Sequence, residues 1–333
     1  MIYIETKNRD AAFHFALEEF IMRDYPFAQP VMMIWQTGKC VMLGNNQSAE
    51  AEVDMGYLKR EGILLIRRSS GGGAIFADPG TVFYTVILPH DKDRYPLTIA
   101  KEDVAEPVVQ ALRKMGVPAV VEGRNDILTD GKKISGFAQY SRYGRICTHG
   151  SLLYETDLDA LAQVLQPDEK KIRTKALRSV RSRVANIKEY MNPPCSTLEF
   201  RDLLRRYLLS DRQAGDYFLT EHDIEQINEI NVKKYLNPSW TYEQSPAFSF
   251  HNGKRFTGGK VEVYFDITKG AVSSCSIQGD FLGVIPISGL ERVFEGKRFT
   301  PPDFCRALDG IELQPYLGEI TKEELLSCVF EYL

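Results

Sequence analysis

A chain of 333 residues, 44% apolar and 26% charged, is long enough for two hydrophobic cores and too apolar to be disordered. Its net charge of −4 excludes a surface that binds nucleic acid as a whole, which requires a cationic excess. The six cysteines are scattered with no CxxC pair, which fits a reducing compartment better than a disulfide framework, and no zinc site is evident from their spacing to the five histidines.

In chain order, the opening MIYIETKNRD lacks the apolar core of a secretory signal, and no later run approaches a membrane span, so the expected location is the cytoplasm. Asp10 is placed to cap a helix whose Phe13, Leu17, Phe20 and Ile21 recur at helical spacing. VMMIWQTGKCVMLG reads as two apolar strands joined by a turn at Thr37 to Lys39, and EGILLIRRSS and AIFADPGTVFYTVIL as further strands on either side of Gly71 to Gly73. Each glycine costs backbone entropy on folding, so a triplet in strand-like sequence means either a close approach to the backbone or a flexible bend. DVAEPVVQALRKMG is expected to be a helix ended by Gly116.

In NDILTDGKKISG the Asp130-Gly131 pair signals a two-residue hairpin. That turn sets Leu128 opposite Lys133, Ile127 opposite Ile134 and Asp126 opposite Ser135. Side chains alternate across a sheet, so Asp126, Lys133 and Ser135 are expected on one face, with Lys132, Ile127 and Ile134 on the other. Helical patterns run from 157 to 235, and LNPSWTYEQSP reads as a linker. KVEVYFDITKGAVSSCSIQGDF then reads as a hairpin, and Thr321 with Glu324 as a capping box. The expected division is residues 1–245 and a smaller domain, 246–333.

Several groups have the chemistry to bind anions. Gly71 to Gly73 expose backbone N–H groups, Arg68 can fork to a phosphate or carboxylate, and Ser70 adds a hydroxyl, although composition alone does not separate such a cradle from a structural bend. A lysine such as Lys133 can sit between a carboxylate and a phosphate, while Asp126 can hold a magnesium ion; the alternative is an ordinary surface pair. His149 has no carboxylate or nucleophile beside it in sequence and reads as a structural histidine. The run KKIRTKALRSVRSR, rich in lysine and arginine, reads as a solvated face or a phosphate-covering loop.

Taken in order, RRSSGGGAIF, GRNDILTDGKKISG, HGSLL and SVRSRVAN resemble the lipoate-protein ligase family. The resemblance implies an α+β fold shared with biotin ligases, a mixed sheet flanked by helices, followed by a small α+β domain. It implies an enzyme that joins lipoate to ATP, with Mg2+, to form lipoyl-AMP and pyrophosphate. The lipoyl group then passes to a lysine of an acceptor, either a lipoyl domain of a 2-oxoacid dehydrogenase or a glycine-cleavage H or H-like protein. Neither nucleic acid nor membrane is an expected partner. Carried over by position, Lys133 is the catalytic residue. Arg68, Ser70, Gly71, Gly72, Gly73, Ala74, Ile75 and Phe76 belong to the ATP and lipoyl-AMP site, together with Asn125, Asp126, Ser135, Gly136 and His149. Asp126 also serves the metal, and Ser179, Arg181, Arg183 and Asn186 belong to an adenylate-covering loop. This chain departs from the family pattern at Asn45, Ser48, Ala77, Thr81 and Phe83, which suggests a specialised paralogue. The rival readings are an ATP-independent lipoyl or octanoyl transferase and a non-catalytic acyl-adenylate-binding protein.

Overall fold

The computed structural model of the chain describes residues 1–24, 29–47, 49–165, 182–210, 213–242, 250–268 and 270–330. Its strands are β1 (Ile2–Ile4), β2 (Val31–Trp35), β3 (Cys40–Leu43), β4 (Leu64–Arg67), β5 (Ile75–Ala77), β6 (Thr81–Pro89), β7 (Ala119–Glu122), β8 (Asp126–Thr129), β9 (Lys132–Arg142), β10 (Arg145–Leu153), β11 (Gly215–Tyr217), β12 (Phe250–Phe256), β13 (Gly259–Thr268) and β14 (Ala271–Gly279). Eight of them form one mixed sheet in the order β11-β1-β2-β6-β10-β9-β8-β7. Three more form a small sheet, β4-β3-β5, and the last three an antiparallel meander.

The large sheet is apolar on both faces because both are covered by helices. Along β2, Val31, Met33 and Trp35 turn to one core while Met32 and Ile34 turn to the other, and β6 divides Phe83 and Ile87 from Val82, Tyr84 and Val86 in the same way. The first face packs against α1 (Ala11–Arg23) and the Glu221–Ile230 helix, the second against the Glu106–Lys114 and Thr197–Leu209 helices. Asp10 caps α1 as expected, its carboxylate accepting from Ala12 N–H at 2.9 Å. Thr321 and Glu324 form the expected capping box. The meander and its helices bury a separate core rich in phenylalanine, including Phe265, Phe294 and Phe304. The expected boundary at 245/246 lies outside the described residues.

Several local readings change once the chain is folded. β2 and β3 are strands but do not pair with each other: β2 lies in the large sheet between β1 and β6, and β3 is the centre of the small one. AIFADPGTVFYTVIL is two strands, broken where Asp78 accepts from Gly80 N–H at 2.9 Å in a tight turn. The 157–235 stretch, read as dominated by helical patterns with a break at MNPPCS, also contains β11, which adds in parallel to β1, and the stretch read as linker contains the Pro238–Tyr242 helix.

The β8-β9 hairpin turns at Asp130 and Gly131 with φ of 49° and 73°, as its sequence requires. Its expected register holds only as far as Leu128 opposite Lys133. A β-bulge then places Ile127 opposite Ser135 and Asp126 opposite Gly136. Ile134 and Ser135 are both fully buried, and Ile134 joins Ile127 in the helix-covered core. The extra residue lets β9 bury that isoleucine while keeping Lys133 and Gly136 on the opposite face. Ser135 therefore lies with Tyr84, away from Lys133.

A Cβ at Gly150 of β10 would stand 2.3 Å from the hydroxyl of the fully buried Tyr84. Gly150→Ala is expected to destabilise the protein by about 1–3 kcal/mol, the usual cost of overpacking. Gly38→Ala, where nothing lies within 4 Å of the new Cβ, is expected to be near neutral. Urea unfolding of both variants checks the pair.

Candidate active site

Where the small sheet's glycine loop meets the α1 face of the large sheet lies a cavity of about 120 Å³. One end is apolar and largely aromatic: Phe15 from α1, Trp35 from β2, Met42 from β3, Ile75 from β5 and Phe83 from β6. Trp35 stacks between His14 (4.2 Å) and Phe83 (4.3 Å), and its indole N–H donates to Thr85 Oγ1 at 3.0 Å, so this wall is rigid. The other end carries Asn125, Lys133, Gly72, Gly73 and Gly136. Such a lining suits a solute that is apolar in one part and anionic in another.

The stretch RRSSGGG builds the wall between those ends. Arg67, fully buried, donates to the carbonyls of Gly44 (2.9 Å), Gln47 (2.6 Å), Trp240 (2.9 Å) and Thr241 (2.7 Å), tying the 44–47 loop to the Pro238–Tyr242 helix. Arg68, expected to fork to an anion, instead donates to the carbonyls of Met42 (2.9 Å), Gly71 (2.7 Å) and Gly73 (2.8 Å) and to Ser70 Oγ (3.0 Å). Its guanidinium still borders the cavity, with burial and the neighbouring Arg67 lowering its pKa to about 10, so it remains charged near neutral pH. Ser69 bonds Tyr235 OH at 2.8 Å and receives Lys234 Nζ at 2.9 Å.

The three glycines are bare for different reasons. A Cβ on Gly71 would lie 2.7 Å from the Phe281 carbonyl of the C-terminal unit. Gly72 has φ of 89°, which disfavours any side chain, and its N–H already donates to that carbonyl at 3.2 Å. At Gly73 the nearest protein atom to a new Cβ is 4.0 Å away, so here alone the missing side chain leaves room for a ligand.

Lys133 and Asp126, on one face as expected, form an ion pair at 2.7 Å, each slightly more than one-third exposed. The Lys133 carbonyl accepts from Ala185 N–H at 3.0 Å, and Asn186 grips the Thr156 backbone by both ends of its amide, at 2.9 and 3.0 Å. Asn186 therefore anchors its segment beside the lysine strand, not at the cavity. Arg183 is exposed, while Ser179 and Arg181 lie outside the described residues.

The cavity thus gathers Arg68, Gly72, Gly73, Ala74, Ile75, Asn125, Lys133, Gly136 and His149 from the candidates. Ser70 is buried behind its wall, Gly71 faces a cleft toward the C-terminal unit, Phe76 belongs to the small-sheet core, and Ser135 is on the far face of the large sheet. Of the departing positions, Phe83 lines the cavity. Ala77 is core, Thr81 bonds Thr156 at 2.9 Å, Asn45 sits in the cleft toward the C-terminal unit, and Ser48 lies outside the described residues.

His149 does have a carboxylate beside it. Glu18 of α1, 1% exposed, lies 3.0 Å from Nδ1, and Ser70 Oγ lies 2.6 Å from Nε2. The signal for Glu18 was present in FALEEF, where two acids interrupt a helix that is apolar on both sides. Cys147, two residues before His149 on the same face, is fully buried, and burial followed by the Glu18 charge raises its pKa well above the ordinary thiol value.

Residues 10–209 match the family model of the lipoyl protein ligase A/B catalytic domain, and residues 245–329 that of the bacterial lipoate protein ligase C-terminus. The chain is 35% identical to lipoate-protein ligase LplJ of Bacillus subtilis (strain 168), covering 99% of this chain and all of that one. Two solved structures are similar at 29% identity. A bi-partite lipoate protein ligase, described with its E2 lipoyl domain, from Thermoplasma acidophilum has a TM-score of 0.67 over 75% of this chain and 98% of its own. A lipoate-protein ligase A bound with ATP has a TM-score of 0.63 over 72% and 97%.

Arg68→Lys removes the planar fork that serves three carbonyls at once. The variant is expected to lose about 2–3 kcal/mol of stability, because buried carbonyls are left unsatisfied. Chemical unfolding measures the loss.

Proposed function

The chain belongs to the lipoyl protein ligase A/B family and is a lipoate-protein ligase, and from that premise we propose that it activates free lipoate with ATP, forming lipoyl-AMP before transfer to an acceptor lysine. The observation that carries this reading is the polarity gradient of the cavity, from the Trp35-Phe83 wall to Lys133. The dithiolane and alkyl chain fill the aromatic end, and the carboxylate lies near Gly73 and Lys133.

Two anions must then meet. A carboxylate oxygen attacks the α-phosphorus of ATP, the bond to the bridging oxygen breaks, and pyrophosphate leaves. Lys133 acts as an electrostatic clamp between carboxylate and phosphate, with Asn125 beside it, and no enzyme nucleophile is needed. In the second step the acceptor amine attacks the acyl carbonyl, AMP leaves, and the amine's proton passes to solvent. A magnesium ion would neutralise phosphate charge, and Asp126, which stays partly exposed with Lys133 against it, suits the single carboxylate such an ion commonly draws from protein. His149 is not placed as a general base, since both ring nitrogens are engaged.

The resemblance to a ligase bound with ATP and to one described with an E2 lipoyl domain supports ATP as co-substrate and lipoyl domains or an H-like protein as acceptors. A cytoplasmic location is consistent with six free cysteines. An acyl transferase working through a cysteine is less well supported: no cysteine lines the cavity among the described residues, and Cys147 is buried as a thiol.

Lys133→Ala is expected to raise the adenylation barrier by about 3 kcal/mol, comparable to removing one oxyanion donor. Near-normal pyrophosphate release from ATP and lipoate by that variant would sink the assignment. Phe83→Ala lengthens the aromatic slot and is expected to shift the ratio of kcat/KM for decanoate over lipoate upward by about tenfold, the scale of one or two methylenes. Competition between the two acids, read by product mass, measures the shift.

A further inference from the structure

We propose that Glu18 is a positioning residue for this reaction, acting through His149, Ser70 and Arg68 to hold the glycine wall in shape. The inference rests on the reading of the cavity just given, and it assigns a task to a buried carboxylate that the chemistry itself does not use.

Glu18 accepts from Thr85 Oγ1 at 2.8 Å, and both of its oxygens lie 3.0 Å from His149 Nδ1. With the carboxylate ionised and the imidazole neutral, Nδ1 carries the ring proton and Nε2 presents a lone pair, the assignment in which each contact of the chain has one donor. Ser70, 2.6 Å from Nε2, must therefore donate its hydroxyl proton to it. At the other end Arg68 only donates, and its Nε–H enters Ser70 Oγ at 3.0 Å. In that assignment the direction of every proton in this chain is matched at both ends, by a carboxylate and a guanidinium.

Arg68 spends its other donors on Met42, Gly71 and Gly73, so it grips the carbonyls on both sides of Gly72. Among the described residues no carboxylate touches Arg68. Its counter-charge is Glu18, reached across the histidine and serine. The arrangement has the composition of a Ser-His-acid triad but cannot work as one. Ser70 is fully buried, does not line the cavity, and accepts the Arg68 proton on the oxygen that would attack.

Glu18→Gln keeps the size and replaces one oxygen with NH2. His149 Nδ1–H then faces a second donor, or the ring reverses its tautomer and Ser70 receives protons from both sides. The kcat for pyrophosphate release is expected to fall about 10- to 100-fold, the scale of a displacement near 1 Å, with KM for lipoate within about threefold because the amide oxygen left by the substitution can still accept from Thr85 Oγ1, on which the Trp35 indole rests. Ser70→Ala is expected to match it, and the double variant to be no worse than the poorer single one. Hydrogen exchange across residues 68–76 is expected to quicken in both variants while β6 and β10 keep their protection. A loss of less than twofold, additive losses in the double variant, or unchanged exchange in the loop would overturn the proposal. If Glu18→Gln does not fold, Ser70→Ala carries the same readouts. If the wild-type protein releases no pyrophosphate, the adenylation reading fails, and loop exchange still decides the role of Glu18.

Discussion

Two adjacent guanidinium groups, Arg67 and Arg68, bonded to backbone carbonyls inside the protein, are the constraint on which the site depends. Each takes the place of water at several carbonyl oxygens of loop, strand and helix end, which allows these segments to be buried together. Arg67 ties the 44–47 loop to the end of the helical layer, and Arg68 curls the glycine triplet back on itself. Without those bonds the loop between β4 and β5 would be the flexible bend that its composition also allows.

The large sheet supplies the rest by strict alternation. On β10, Cys147, His149 and Ser151 face α1 while Ile146, Thr148, Gly150 and Leu152 face away, so one strand serves a cavity and a core at once. The bulge in β9 makes a comparable division possible where alternation alone would fail: Ile134 is buried, yet Lys133 and Gly136 both remain at the cavity. The result is a slot with an aromatic wall at one end and a cation at the other, matched to an acid with an apolar tail.

Much of this was legible in the sequence. The caps at Asp10 and Thr321, the Asp130-Gly131 turn and the pairing of Asp126 with Lys133 on one face follow from interactions within a few residues, and the structure contains them. The strand register beyond Leu128 was not legible, because the bulge answers a burial requirement on the far side of the sheet. Nor was the partition between β2 and β3, which end in different sheets despite a four-residue connection. The glycine triplet was half legible: its nearness to something was plain, but for Gly71 and Gly72 that neighbour is protein.

By itself the sequence determined the order of motifs, the lysine hairpin and the family they resemble, since each depends on short spacing and residue chemistry. Only the tertiary structure decided that Arg68 grips the carbonyls of Met42, Gly71 and Gly73 while bordering the cavity, that Ser135 and Asn186 stand outside the cavity, and that Phe83 lies within it. It alone brought Glu18 to His149 across a separation of 131 residues. Such a contact has no local signature, because a buried carboxylate reveals its partner only when the donors that compensate its lost hydration have been folded around it.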